Sequence, residues 1–192
     1  MRRLKHSEPA AEGLRANRLA PRIAAIGFAA LASCLCLTAS ASAASVAVWR
    51  LYNANGDHFY TTRCKDVEIA TGPGPGGGYK LEKLAFYIDD APQAGVPLFR
   101  FFKDHDHFYT TDGFAEGDSD YQLEAVLGYV SKSAAAGKVP LYRAYSAQKG
   151  DHFYTSDLNE YNSTTSASGY KAEGIVGYVN SSGVNLCPTL GK

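Results

Sequence analysis

The sequence predicts a mainly β domain of three repeats of about 45 residues in a closed pseudo-threefold arrangement, trefoil-like or propeller-like, with short helices or loops between strands. One segment recurs almost unchanged, as GDHFYTT at 56–62, HDHFYTT at 105–111 and GDHFYTS at 150–156. Strand-like segments rich in β-branched and aromatic residues precede and follow each copy. Units of this length need neighbours to bury their apolar faces, and a closed arrangement leaves no exposed sheet edge.

The first segment of the chain has the pattern of a secretory signal peptide. Six basic residues precede the apolar run at 23–39, and the small residues SASAAS follow it. We therefore predict a signal peptide at 1–44 and a secreted domain at 45–192 that is not embedded in a membrane. The segment LASC at 31–34 is also typical of a lipobox, so a lipoprotein anchored at Cys34 is the alternative.

The charge of the predicted mature domain excludes one class of partner. Six of the 19 Lys and Arg residues and two of the 19 Asp and Glu residues lie in the first 44 positions, which leaves a net charge of −4. Binding to nucleic acid depends on clusters of basic residues, and the domain has none. We therefore expect no nucleic-acid partner.

Each repeat begins with a strand that carries an aromatic-Arg pair, and DHFYT forms the second strand of a hairpin with it. A third, closing strand completes the repeat. The first strands are predicted at 46–52, 96–102 and 139–145, and the closing strands at 78–88, 120–130 and 169–179. The repeats themselves are assigned to 46–95, 96–138 and 139–180, with a tail at 181–192.

The connections between hairpin and closing strand differ among the repeats. TSDLNEY at 155–161 is typical of a capped helical turn, with Ser156 or Asp157 as N-cap. DGFAEGDSD at 112–120 predicts only a turn, and TGPGPGGG at 71–78 predicts an excursion without a helix.

Two cysteines remain after the predicted cleavage, Cys64 behind the first HFYTT and Cys187 in the tail. An even pair in an exported protein favours a disulfide, which would tie the first repeat to the end of the chain. A reactive or catalytic thiol is the alternative.

The pattern LYR…GDHFYT…GY..EGI.GYV resembles a repeated extracellular domain of unknown function. That domain occurs alone or appended to peptidases, glycosidases and cell-wall hydrolases. The resemblance extends from Val46 to Val179 and recurs in every repeat. It implies a secreted ancillary module that binds carbohydrate or cell wall, and it brings no established catalytic site.

The repeated Asp-His pair and the nearby tyrosine are the candidate ligand-binding residues. The sequence leaves three roles open for the pairs: scaffold contacts, ligand contacts, or convergence of three histidines on a metal. Because no HExxH-type spacing is present, we predict no metal site and no cofactor. The candidates are Asp57, His58, Tyr60, Asp106, His107, Tyr109, Asp151, His152 and Tyr154.

Charged residues on the strands predict a structural ion pair in each repeat. Arg50, Arg100 and Arg143 occupy one position in the first strands. The Asp across the hairpin is one candidate partner, and Glu82, Glu124 and Glu173 in the closing strands are the others.

Phe and Tyr of HFYT differ by one position and therefore point to opposite faces of their strand. One face belongs to the core. If Tyr60, Tyr109 and Tyr154 are exposed, each repeat presents an aromatic platform beside polar groups, which suits a sugar ring.

Together these features predict a secreted, non-catalytic, lectin-like module for carbohydrate or cell-wall polymer, in which three weak sites give avidity. One alternative is a protein-interaction or inhibitor module that uses the divergent loops. A metal-dependent hydrolase is the other. Against it, an enzyme needs residues in distinct roles, whereas each candidate here occurs three times in one role.

Overall fold

The computed structural model describes residues 43–190, and in this part the chain is mainly antiparallel β-structure, as the sequence predicts. Most of the predicted signal peptide, including Cys34, lies outside the described residues. Neither helix of the described chain is long and apolar enough to cross a membrane.

Every repeat contains three strands. Their bounds are β1 Ser45–Asn53, β2 His58–Thr61 and β3 Tyr79–Asp89 in the first repeat, β4 Val96–Lys103, β5 Asp106–Thr110 and β6 Gln122–Val130 in the second, and β7 Lys138–Ser146, β8 Asp151–Thr155 and β9 Lys171–Asn180 in the third. In each repeat the first strand pairs antiparallel with both the second and the third.

Register shifts flank the arginine of each first strand. In β1 the shifts against β3 lie between Val48 and Trp49 and between Arg50 and Leu51, and equivalent shifts occur in β4 and β7. Such bulges bend a strand and redirect its side chains. Here they accompany arginine side chains that reach across to another repeat.

The pairing between repeats is sparse and does not close the sheet. The strand order is β5-β4-β6-β3-β9-β7-β8, with β1 and β2 branching from β3. The closing strands meet through few residues, such as Asp89 opposite Tyr129 and Tyr87 opposite Asn180. Main-chain pairing therefore leaves the sheet open and does not establish the closed threefold arrangement that the sequence suggests.

Two kinds of core cover the two faces of the HFYT strands. The tyrosines lie in a central cluster with the aliphatic residues of all three repeats, including Val48, Leu98 and Leu141. The phenylalanines lie in three separate clusters, one in each repeat. The alternation expected for a strand is therefore present, but both faces are buried.

The connections differ as the sequence indicates, with one addition. Helix α2, Leu158–Ala167, begins at Asp157, whose side chain accepts from the backbone N–H groups of Asn159 and Glu160. The second repeat has only a 3₁₀ turn, Ala115–Gly117. The first repeat contains helix α1, Cys64–Thr71, just before the Gly-rich segment at 72–78; the sequence did not predict this helix.

The predicted disulfide is confirmed. Cys64 at the start of α1 bonds to Cys187, and their Cα atoms are 5.5 Å apart. The tail also joins the sheet, because Ala47 N–H donates to Val184 O and Val184 N–H donates to Ser45 O. The C-terminal segment is therefore bound to the first repeat by both covalent and main-chain contacts.

Candidate binding sites at the repeat boundaries

The three HFYT tyrosines bind one another in a cycle. Tyr60 Oη donates to Tyr154 O, Tyr154 Oη donates to Tyr109 O, and Tyr109 Oη donates to Tyr60 O, each at 2.8 Å. Each hydroxyl also accepts from the backbone N–H of the tyrosine to which it donates. Burial raises the pKa of all three phenols, so they remain protonated donors.

This cycle corrects the expectation of an exposed tyrosine platform. The three tyrosines are at most 1% exposed. A Tyr rather than a Phe is needed at this position because its hydroxyl satisfies both backbone groups of a strand in another repeat. A surface for a ligand must therefore come from other side chains.

The Asp-His pairs are also connected across repeats. Asp57 accepts from the backbone N–H of His107 at 2.9 Å and from its Nδ1 at 2.7 Å. Asp106 binds His152 and Asp151 binds His58 in the same way. Residues adjacent in the motif are thus not partners, because each aspartate holds the histidine of the next repeat.

A second tyrosine of each repeat completes this contact. The tyrosine near the start of each closing segment, Tyr79, Tyr121 or Tyr170, donates its hydroxyl to Asp57, Asp106 or Asp151 of the same repeat. Burial and the neighbouring carboxylate raise the pKa of these phenols. Sequence reasoning missed these tyrosines, although their recurrence in GYK, DYQ and GYK was a usable signal.

The three aspartates also approach one another. In the described part of the chain, one group of side chains has the residue types and the spacing to hold a metal ion. It consists of Asp57, Asp106 and Asp151, and one carboxylate oxygen of each lies within 4.8 Å of those of the other two. No histidine belongs to that group. Each carboxylate already accepts from an amide, an imidazole and a phenol, so these contacts account for the trio as part of the scaffold.

Each arginine lies where two repeats meet. Arg50, Arg100 and Arg143 place their guanidinium groups 4.8–5.1 Å from the ring centres of Phe153, Phe59 and Phe108 in another repeat. Their Nε atoms lie 2.6–2.9 Å from Glu82, Glu124 and Glu173 of their own repeat. The expected Arg-Asp pair is not made, because Arg50 lies opposite Tyr60 in the hairpin.

We call these contacts the 3–1, 1–2 and 2–3 boundaries, after the repeats that meet there. The 3–1 boundary contains Arg50, His58 and Glu82 with Asp151, Phe153 and Tyr170. The 1–2 boundary contains Arg100, His107 and Glu124 with Asp57, Phe59 and Tyr79. The 2–3 boundary contains Arg143, His152 and Glu173 with Asp106, Phe108 and Tyr121.

A second carboxylate distinguishes the boundaries. Glu160 accepts from Arg50 Nη2 at 3.0 Å, and Glu116 accepts from both Nη atoms of Arg143 at 2.6 and 3.1 Å. The equivalent residue of the first repeat is Asp66, which also binds the threonine of HFYT as the two glutamates do. Asp66 is one methylene shorter, and its Oδ2 lies 3.6 Å from Arg100 Nη1, beyond hydrogen-bond distance.

These contacts alter the acidity of the glutamates. Although burial opposes the shift, hydrogen bonds from Arg50, Thr155 and Lys83 lower the pKa of Glu160 to about 2. The hydrogen bond from Arg143 lowers the pKa of Glu116. Both glutamates are therefore charged and occupied by their arginines at neutral pH.

The 1–2 boundary opens into a cavity of about 340 Å³. Its walls include the rings of Phe59, Tyr79 and Phe102 beside the polar groups of Arg100, His107 and Glu124. Ile69 of α1 and Gly76 of the Gly-rich segment also line it. The cavity at the 2–3 boundary, which Glu116 and Arg143 line, has half that volume, about 170 Å³.

The comparisons with known proteins give a family and no individual relative. No curated protein matches the chain, and no solved structure matches it. A family described as a domain of unknown function (DUF5648) matches residues 26–118 and 114–180, which together span all three predicted repeats. Because these matches cover well over half of its length, the chain belongs to the DUF5648 family.

Proposed function

We propose that the protein is a secreted, non-catalytic, lectin-like module that recognises carbohydrate or a cell-wall polymer. The observation that carries the proposal is the 1–2 cavity, where three aromatic rings adjoin an arginine, a histidine and a glutamate. Apolar faces of a sugar pack on aromatic rings, and its hydroxyls need both donors and acceptors. A concave site with a few convergent polar groups is the usual form of a small-ligand site.

Secretion is part of this proposal. The basic, apolar and small-residue order of the first 44 positions supports it. The Cys64–Cys187 disulfide is compatible with an oxidising compartment outside the cytosol.

We further infer that the three repeats surround a pseudo-threefold axis. The cycle of tyrosine hydroxyls and the cycle of Asp-His contacts both pass through every repeat and return to the first. Contacts of this kind close a ring through side chains even though the strand pairing remains open.

Catalysis is not part of the proposal. The histidines and aspartates occupy the same position at every boundary, and their polar atoms engage each other. A hydrolase needs an acid and a base in different environments. Gly76 of the Gly-rich segment, one of the divergent loops that the alternative protein-interaction module would use, lines the 1–2 cavity.

The test is a binding assay with the purified, disulfide-intact protein on insoluble polysaccharides and a glycan array, with and without a chelator. We expect binding that survives the chelator. Blank results on all supports would refute the lectin-like function, and loss of binding with the chelator would assign the metal role to the aspartate trio.

A further inference from the structure

We propose that the 1–2 boundary is the saccharide site of this protein and that it takes an uncharged sugar, whereas the glutamates of the other two boundaries close the equivalent positions. This inference rests on the proposed carbohydrate-binding function. Its starting observation is one difference among the boundaries, Asp66 in the 1–2 boundary where the other two have Glu116 and Glu160.

The three arginines differ in the hydrogen bonds that their guanidinium groups make. Arg143 donates through both Nη atoms to Glu116, and Arg50 donates through Nη2 to Glu160. The remaining Nη1 of Arg50 has no partner, but it is enclosed. Arg100 makes no hydrogen bond within the described chain, and its Nε, 2.9 Å from Glu124, lacks hydrogen-bond alignment.

The shorter side chain of Asp66 leaves a gap between its carboxylate and Arg100. Arg100 and Asp66 both line the cavity, with a donor and an acceptor 3.6 Å apart. A sugar hydroxyl both donates and accepts, so one hydroxyl placed beside them can satisfy both groups. In the other boundaries the direct Arg-Glu contact leaves no such gap.

The 1–2 boundary has negative as well as positive side chains. Two carboxylates, Asp66 and Glu124, lie beside Arg100, so the cavity has no surplus positive charge that would attract an acidic sugar. A cationic amino sugar would compete with Arg100 for the same carboxylates. A neutral sugar needs no surplus positive charge and does not compete with Arg100, because its hydroxyls add hydrogen bonds without adding charge.

Three aromatic rings line the 1–2 cavity. Phe102 and Tyr79 are half-buried at the cavity, and Phe59 already carries the Arg100 guanidinium on its face. The two half-buried rings therefore offer apolar surface to a sugar, while Arg100 is held rigidly by stacking. A preorganised donor costs less ordering when a ligand binds.

The test is the Asp66→Glu variant, which gives the 1–2 boundary the carboxylate that the others have. Binding is measured by calorimetry with oligosaccharides of cellulose, chitin, polygalacturonate and chitosan. For the natural protein we expect binding of a neutral oligosaccharide, cellulose- or chitin-derived, at one molecule per chain. Asp66→Glu should reduce its affinity by more than about tenfold, which corresponds to the loss of about 1.4 kcal/mol.

Matched variants keep the test independent of folding. Glu116→Asp makes the opposite exchange at the 2–3 boundary and should leave the affinity of the 1–2 site within about twofold of that of the natural protein. Ile69→Trp blocks the cavity from an exposed position of α1, and Leu158→Trp, at an equally exposed position of α2, is its control. Only the first of these two tryptophans should abolish binding.

The outcomes separate the two proposals. If the natural protein binds saccharide but Asp66→Glu and Ile69→Trp bind equally well, the site assignment is wrong and the lectin-like function stands. Binding restricted to the acidic or the cationic oligosaccharide, or three ligands per chain, likewise overturns the inference alone. No binding to any of the four probes overturns the proposed function and the inference with it.

Discussion

The tyrosine hydroxyls of HFYT show how one atom fixes a contact between repeats. Each hydroxyl is fully buried and bonded both to the N–H and to the C=O of one residue in another repeat. An unpaired backbone group in the core is costly, and the phenol hydroxyl supplies the hydrogen-bond partner for both groups. At this position, polar chemistry rather than ring size distinguishes Tyr from Phe.

We predict that Tyr109→Phe destabilises the protein by about 2–4 kcal/mol, because the backbone N–H and C=O of Tyr60 both lose their hydrogen-bond partner. Urea unfolding followed by fluorescence measures the free energy of unfolding. Tyr178→Phe is the control, since the Tyr178 hydroxyl makes no hydrogen bond within residues 43–190. Equal stability of the two variants would show that the cycle contributes nothing specific.

The depressed pKa of Glu160 predicts a pH window for stability. Because its folded pKa, about 2, lies below the ordinary value of 4.5, charged Glu160 stabilises the fold above about pH 4.5. That contribution is lost as the pH falls from about 4.5 towards 2.

The measurement is the free energy of unfolding of the natural protein minus that of Glu160→Gln, taken from pH 7 to pH 2. We expect a constant difference of about 1–3 kcal/mol at the upper end that shrinks in the acid window. Glu68→Gln, at an exposed Lys65 pair, should give no such difference. A Glu160 difference that does not vary with pH would contradict the assignment.

The sequence indicated most residue types of the boundary sites and the Arg-Glu pairs, but it missed the second tyrosine of each repeat and the pairing of Asp with His across repeats. Arg and Glu recur at fixed positions, and they meet within each repeat as one of the two alternatives. Asp57 and His58 are neighbours in the chain, yet their partners are His107 and Asp151. Adjacent strand residues point to opposite faces, so motif neighbours are the least suited to contact each other.

At the scale of elements, the strands were predictable and one helix was not. Hairpins and closing strands follow directly from alternating aromatic and β-branched segments. Helix α2 carries its own N-cap signal in Asp157. The N-cap position of α1 is Arg63, whose side chain makes no capping hydrogen bond, and α1 buries only Val67 and Ala70. Tertiary contacts and the disulfide at Cys64 stabilise α1, and sequence propensity alone does not reveal them.

We predict that Asp157→Ala costs about 1 kcal/mol, within the range of 0.5–2 kcal/mol for loss of an N-cap. The reason is that the backbone N–H groups of Asn159 and Glu160 lose their acceptor. Thermal unfolding by circular dichroism gives the change, and Asp157→Asn should retain most of the stability because its amide oxygen still accepts. A comparable loss in both variants would point to charge rather than capping.

At the scale of the whole molecule, the tyrosine and Asp-His cycles join all three repeats through side chains. The main chain adds only a few contacts between closing segments, among them the bridge between Ser131 and Tyr178. The open sheet was not foreseen, because periodicity reports that units recur and says nothing about which strand edges meet. The link between the first repeat and the tail was foreseen, because only two cysteines remain in the predicted mature chain.

We predict that reduction of the Cys64–Cys187 bridge lowers stability by about 2–4 kcal/mol, since the bridge closes a loop of 123 residues. Unfolding of the natural protein with and without reductant measures the effect. A Cys64→Ser, Cys187→Ser double variant should match the reduced protein and show no response to reductant. A reductant effect that persists in the double variant would have another origin.

The tyrosine cycle also limits how this chain could grow by duplication of a repeat. An open array lengthens by duplication, because a new unit stacks on the last one and presents the same free face. Here the backbone of Tyr60 already binds the hydroxyl of Tyr109 from the second repeat, and the Tyr60 hydroxyl binds the backbone of Tyr154 in the third. None of the three tyrosines therefore ends the cycle. A fourth unit would find no vacant member of the cycle to pair with, so adding one to this chain would require the cycle to break.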